Sequence, residues 1–128
     1  MSSFKDFTEL EVWIQSKNLA KSIYQITSTF PQKESFRLTD QMCRAAVSIP
    51  SNIAEGLGRN TMKDKAHFFY IARGSAFEVE TQMHIAFDLS YIDEENLNRL
   101  KLEILSVKKL INGFLAFLKK PKNQTPKT

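Results

Sequence analysis

An all-α fold, an antiparallel up-and-down four-helix bundle, is predicted by three features of this 128-residue sequence. Apolar residues recur at alternating three- and four-residue steps, helix-start chemistry precedes each such run, and no strand pattern competes. At this length one compact core is expected, so residues 1–120 read as a single domain and 121–128 as a disordered basic tail. A hydrophobic content of 42% with 4 Gly and 4 Pro excludes disordered and collagen-like chains. The lone Cys43 can form neither an internal disulfide nor a cysteine zinc site, which fits a reducing compartment. No apolar run approaches the ~18 residues of a membrane helix. The start Met-Ser-Ser-Phe-Lys-Asp also lacks the apolar stretch of a secretion signal, so a cytoplasmic protein without a membrane partner is expected.

The first helix is expected over residues 8–30. Thr8 and Glu11 have capping-box spacing, and Phe7 with Val12 has that of a hydrophobic staple. Trp13, Ala20, Ile23, Tyr24, Thr27 and Phe30 form its stripe, and Phe30-Pro31 ends it. The second helix is expected to start at Thr39, with Ser35 as an earlier alternative cap. Met42, Ala45, Ala46, Ile49, Ile53, Ala54 and Leu57 are its apolar stripe; Gln41, Arg44, Ser48, Ser51, Asn52, Glu55 and Arg59 form the polar one. Pro50 predicts a kink or break near Ser48–Ser51, and Gly56 with Gly58 predicts the stop.

Thr61 and Asp64 signal the third helix, about 62–90, with Phe69, Ala72, Ala76, Val79, Met83, Ala86 and Ser90 on its seam. A neighbouring stripe mixes Phe68, Ile71, Ile85 and Leu89 with Ser75, Glu78 and Gln82, implying a hydrogen-bonded helix contact or a partly open surface. Asp93 caps the fourth helix, Ile92 and Leu97 have staple spacing, and Pro121 marks its end. Its stripe is Leu97, Leu100, Ile104, Val107, Ile111, Phe114 and Leu118. Val12, Leu19, Ile26, Leu102, Leu105, Leu110, Leu115 and Phe117 lie off the best stripes. Such a surplus predicts self-association.

The net charge of +4 is unevenly placed: residues 99–128 carry +7 and the preceding 98 residues −3. Clustered Lys and Arg attract phosphate and release its counterions, so RNA or DNA is a candidate partner.

The segment Gln41-Met-Cys-Arg-Ala-Ala-Val-Ser-Ile-Pro-Ser-Asn-Ile-Ala-Glu-Gly-Leu-Gly-Arg59 resembles the four-helix-bundle family encoded in intervening sequences of bacterial 23S ribosomal RNA genes. Leu10-x-Val-Trp13, Ile71-Ala-Arg-Gly-Ser75, Glu78-Val-Glu80-x-Gln82 and Tyr91-Ile92 extend the resemblance to roughly residues 4–118. It implies a non-enzymatic homopentamer that binds RNA or DNA, and a relation to the accessory variability protein of diversity-generating retroelements. It also implies basic positions at Arg44, Arg59 and Arg73, with Cys43 replacing a frequent arginine and Arg37 a common glycine. With nearby Lys63 and Lys65, these are the candidate nucleic-acid-binding residues: Arg37, Arg44, Arg59, Lys63, Lys65 and Arg73. The matching Pro50, Ser51, Asn52, Glu55, Gly56, Gly74, Ser75 and Glu78 are read as structural, supplying caps, close packing and polar pairs, and a Glu55–Arg73 bridge is a further candidate.

Enzymatic chemistry has little support. Glu80, His84 and Asp88 could share a helix face, but the paired Glu-x-x-His motifs of di-iron bundles are absent, and no metal or other cofactor is expected. Cys43 has no neighbouring histidine or resolving cysteine, and Arg59 and His67 miss the spacing of helical ribonucleases. The competing reading is an accessory protein that engages a partner protein without touching nucleic acid.

Overall fold

The computed structural model describes residues 6–120. They form α1 (Glu11–Thr27), α2 (Leu38–Leu57), α3 (Met62–Asp88) and α4 (Glu94–Lys119), with short 3-10 turns at Phe7–Glu9 and Gln32–Glu34 and no strand among them. Consecutive helices pack together, and α1 closes against α4. The expected tail at 121–128 lies outside the described residues.

Two predicted boundaries of α1 move. Asp6 accepts the Thr8 N–H at 3.1 Å and draws Phe7–Glu9 into a separate turn, so Thr8 and Glu11 do not form a capping box. The helix starts after Leu10, which has no side-chain cap. The Phe7 ring meets Trp13 edge-on at 5.2 Å, whereas Val12 is buried in the core. At the other end, the Thr27 hydroxyl donates to the Ile23 carbonyl at 2.8 Å, and the helix stops there rather than at Phe30.

Neither Thr39 nor Ser35 caps α2. The carboxylate of Glu34 accepts the Leu38 N–H at 3.3 Å instead. Pro50 causes no break: α2 runs continuously from Leu38 to Leu57 with Pro50 buried. The apolar stripe on both sides is clamped in the core, which offsets the hydrogen bond the proline removes. Gly56 is not a stop but a contact point inside the helix. A Cβ there would lie 3.0 Å from the Lys65 carbonyl oxygen, 3.1 Å from Phe68 Cβ and 3.1 Å from Phe69 Cδ1. Gly58 ends the helix.

The later caps form as predicted. Thr61 Oγ1 accepts the Asp64 N–H at 3.0 Å, and Asp93 accepts the Asn96 N–H at 2.8 Å. Ser90, assigned by sequence to the α3 seam, instead closes the helix in the left-handed region at φ 66°. Its N–H reaches the Phe87 carbonyl and that of Tyr91 the Ala86 carbonyl, each at 2.9 Å, the paired bonds of a Schellman end. The core unites Leu19, Ile23, Met42, Ile49, Ile53, Phe69, Val79, Met83, Leu100, Ile104 and Ile111, all fully enclosed. The apolar surplus is smaller than expected. Val12, Leu19 and Leu115 are buried within the subunit and Ile26 and Leu110 partly so, because α1 and α4 each face two neighbours; Leu102, Leu105 and Phe117 stay exposed.

Where the α1–α2 and α3–α4 connections meet, the Tyr91 hydroxyl donates to the buried Glu34 carboxylate at 2.8 Å. This bond, the Leu38 N–H and the nearby Arg37 and Lys33 charges hold the Glu34 pKa below its ordinary value despite burial. The same bond, with burial and the Glu34 charge, raises that of Tyr91. A lowered carboxyl pKa stabilises the fold above the ordinary glutamate range, and the gain is lost as pH falls through the folded value. A raised phenol pKa stabilises below the ordinary tyrosine range, and that gain is lost as pH rises through the folded value. Thermal unfolding of Tyr91→Phe should therefore show a lower Tm than the parent between those limits, with the gap closing towards acid. A pH-independent gap would contradict the pairing.

Candidate nucleic-acid interface

The candidate cations occupy three places rather than one patch. Arg37 precedes α2 and Arg44 lies in its second turn, whereas Arg59 follows the last turn, at the far end of a helix of 20 residues and about 30 Å. Arg59, Lys63 and Lys65 gather around the α2–α3 connection, and Arg73 sits midway along α3, facing α4.

Their partners separate free charge from structural charge. Arg44 reaches Asp40 at 3.0 Å and Arg59 reaches Glu55 at 2.6 Å, both exposed pairs one helical turn apart. Such pairs contribute ~0–1 kcal/mol, so a phosphate can compete with the carboxylate. The Arg59 guanidinium also lies 4.7 Å from the Phe68 ring centroid. Lys63 and Arg37 are exposed. Lys65 differs, because its ammonium donates to the Leu57 carbonyl at 3.1 Å and to the Arg59 carbonyl, closing the end of α2. Arg73 is half-buried and donates to Asn112 Oδ1 at 2.9 Å. The suggested Glu55–Arg73 bridge is not present: each side chain takes another partner, Arg59 just past the end of α2 for Glu55 and Asn112 on α4 for Arg73.

Sequence reasoning left several residues out of the site. Lys108 spans from α4 to Glu80 at 2.6 Å and lies 4.6 Å from the Phe77 ring centroid. Tyr70 has Arg73 at 5.0 Å and Lys119 at 5.4 Å from its ring centroid. The signal was present: Tyr70, Arg73, Phe77 and Glu80 follow at three- and four-residue steps, and Lys108 and Lys119 belong to the basic C-terminal segment.

Residues 8–113 match the family model described as 23S rRNA-intervening sequence protein. The chain belongs to this family. It is also similar to a crystal structure of a protein with unknown function from the S23 ribosomal protein family of Bacteroides thetaiotaomicron VPI-5482. The TM-score is 0.73, covering 81% of this chain and 97% of that one, and at 22% identity the likeness concerns the fold alone. No curated protein matches the chain.

In this 23S rRNA-intervening sequence family member, the motif residues hold α2 to α3. Ser48 and Ser75 share a hydroxyl hydrogen bond of 2.7 Å, and Asn52 Nδ2 donates to the Ser48 carbonyl at 2.8 Å and its hydroxyl at 3.1 Å. Ser75 thus makes the helix contact expected of the mixed stripe, while Glu78 stays exposed on the open side. Gln82 is buried, donates weakly to Glu78 at 3.5 Å, and leaves its Oε1 without a partner. Ser51 is exposed, and Gly74 is not a close-packing glycine, since a Cβ there would meet nothing within 4 Å. Glu80 is committed to Lys108, while His84 and Asp88 are exposed, and among the described residues no three His, Cys, Asp or Glu side chains could hold one metal ion. Cys43 is half-buried with its Sγ 3.5 Å from the Thr27 hydroxyl. No helix of the described residues is long and apolar enough to cross a membrane.

Proposed function

We propose that this chain is a non-enzymatic, cytoplasmic subunit, an antiparallel up-and-down bundle, that assembles as a homopentamer and binds RNA or DNA through basic surface residues. Membership of the 23S rRNA-intervening sequence family carries the reading. Exposed Arg44, Arg59 and Lys63, held by no more than weak surface pairs, support it. Residue pairs such as Gly56 with Phe68 and Ser48 with Ser75 favour the antiparallel order. Exposed Leu102, Leu105 and Phe117 favour assembly, which would multiply the +4 charge into a field shared between copies. The relation to the accessory variability protein of diversity-generating retroelements belongs to the same reading.

A salt titration of short labelled RNA and DNA oligonucleotides tests it. Affinity should be measurable at ~50 mM salt and fall steeply by ~200 mM, with a log–log slope shallower by about 0.7–0.9 for each phosphate contact removed through Arg44→Gln, Arg59→Gln or Lys63→Gln. Absence of binding at low salt, or indifference to the triple replacement, would overturn it. Light scattering should give about five times the 14.7 kDa chain mass.

A second reading, an accessory protein that binds a partner protein, is favoured by one feature. An open groove of about 500 Å³ runs between α1 and α4, lined by Leu10, Val12, Leu110, Phe114 and Phe117. A protein partner recovered without any gel-shift activity would select this reading.

A further inference from the structure

The outer face of the α3–α4 pair carries rings and cations in a repeating order. Along α3, Tyr70, Arg73, Phe77 and Glu80 fall within one stripe; along α4, Lys101, Lys108, Asn112 and Lys119 fall within another. The two stripes face each other through side-chain contacts. Lys119 lies by Tyr70, Asn112 accepts from Arg73 at 2.9 Å, and Lys108 lies by Phe77 while holding Glu80 at 2.6 Å. Below them Lys101 lines an open groove of about 440 Å³ with Asn98, Leu102 and Leu105. Phe77 and Tyr70 are 53% and 37% exposed, far more than a core would leave them.

We propose that this face is a track for single-stranded nucleic acid, with Tyr70 and Phe77 stacking unpaired bases and Arg73, Lys101 and Lys119 meeting the phosphates. The inference rests on the nucleic-acid reading above and narrows it to single strands. Tyr70 and Phe77 are seven residues apart, two turns along one face of α3, a rise of about 10 Å. Aromatic faces with neighbouring cations bind single strands with little sequence preference, because every base offers a flat face. In a duplex those faces are already stacked on one another and cannot reach the rings. Glu80, the carboxylate of the α3 stripe, is already paired with Lys108.

The test compares a labelled RNA strand of mixed, non-self-complementary sequence with the same strand annealed to its complement, by fluorescence anisotropy at low salt on the full chain. Tyr70→Leu and Phe77→Leu remove the rings while keeping apolar side chains, and unchanged thermal unfolding checks their fold. Each should weaken single-strand binding on the order of tenfold and leave duplex binding alone. Lys101→Gln with Lys119→Gln keeps both rings and should make the single-strand salt slope shallower by about 1.4. Equal affinity for strand and duplex, unmoved by ring loss, overturns the track but leaves the nucleic-acid reading intact. No binding of either probe at low salt overturns both. A fall in solution mass of the ring variants without nucleic acid, with strand affinity per subunit unchanged, assigns the face to contacts between copies and also overturns the track.

Discussion

Phe69→Ala is expected to destabilise the fold by about 3–5 kcal/mol, the usual cost of removing a large aromatic side chain from a filled core. Phe69 is fully buried, its ring stacks on Phe114 at 4.6 Å with 11° between planes, and its edge lies against the backbone of α2 at Gly56. Three helices therefore line the hole alanine would leave, and none can close it without disturbing another contact. Denaturant unfolding monitored by helical signal measures the loss as a lower midpoint at unchanged slope. A loss under ~1 kcal/mol would mean that the α2–α3–α4 junction is not packed as described. Phe36→Ala is the matching control, since that ring is 93% exposed and its removal should shift stability by no more than ~0.5 kcal/mol.

Glycine replacements at two positions in the same kind of helix should move stability in opposite directions. Gly56→Val drives new methyl groups into the Lys65 carbonyl and the Phe68 and Phe69 side chains, two of which are backbone or core and cannot swing away. The expected loss is about 1–3 kcal/mol, typical of overpacking. Gly74→Ala meets nothing within 4 Å and should gain up to ~1 kcal/mol from helix propensity alone. Melting temperatures should thus fall for the first and rise for the second by about 3–5 °C per kcal/mol. The same sign at both would contradict the geometry.

The number of helices, the caps at Thr61 and Asp93 and most core positions could be read from spacing, because each depends on residues one turn apart. Helix ends set by a carboxylate upstream of the expected cap could not. Glu34 caps α2 and binds Tyr91 from 57 residues away, and Asp6 outcompetes Thr8 from just upstream. Lys65 reads as a surface cation until the fold brings the end of α2 within its reach. Gly56 and Gly74 look alike in sequence; only the approach of α3 makes one indispensable. The candidate site was divided in the same way. Arg44 and Arg59 are as open as their stripe suggests, whereas the Tyr70–Lys119 and Phe77–Lys108 pairs require knowing which faces of α3 and α4 meet.

The Ser48–Ser75 bond limits how this molecule can deform. Sliding α2 along α3 by one turn would break this bond and leave the buried Ser75 hydroxyl without its partner. The two helices should therefore travel as one rigid plank. Any change of shape that accompanies docking or assembly must be a tilt of α1 or α4 against that plank, not shear within it.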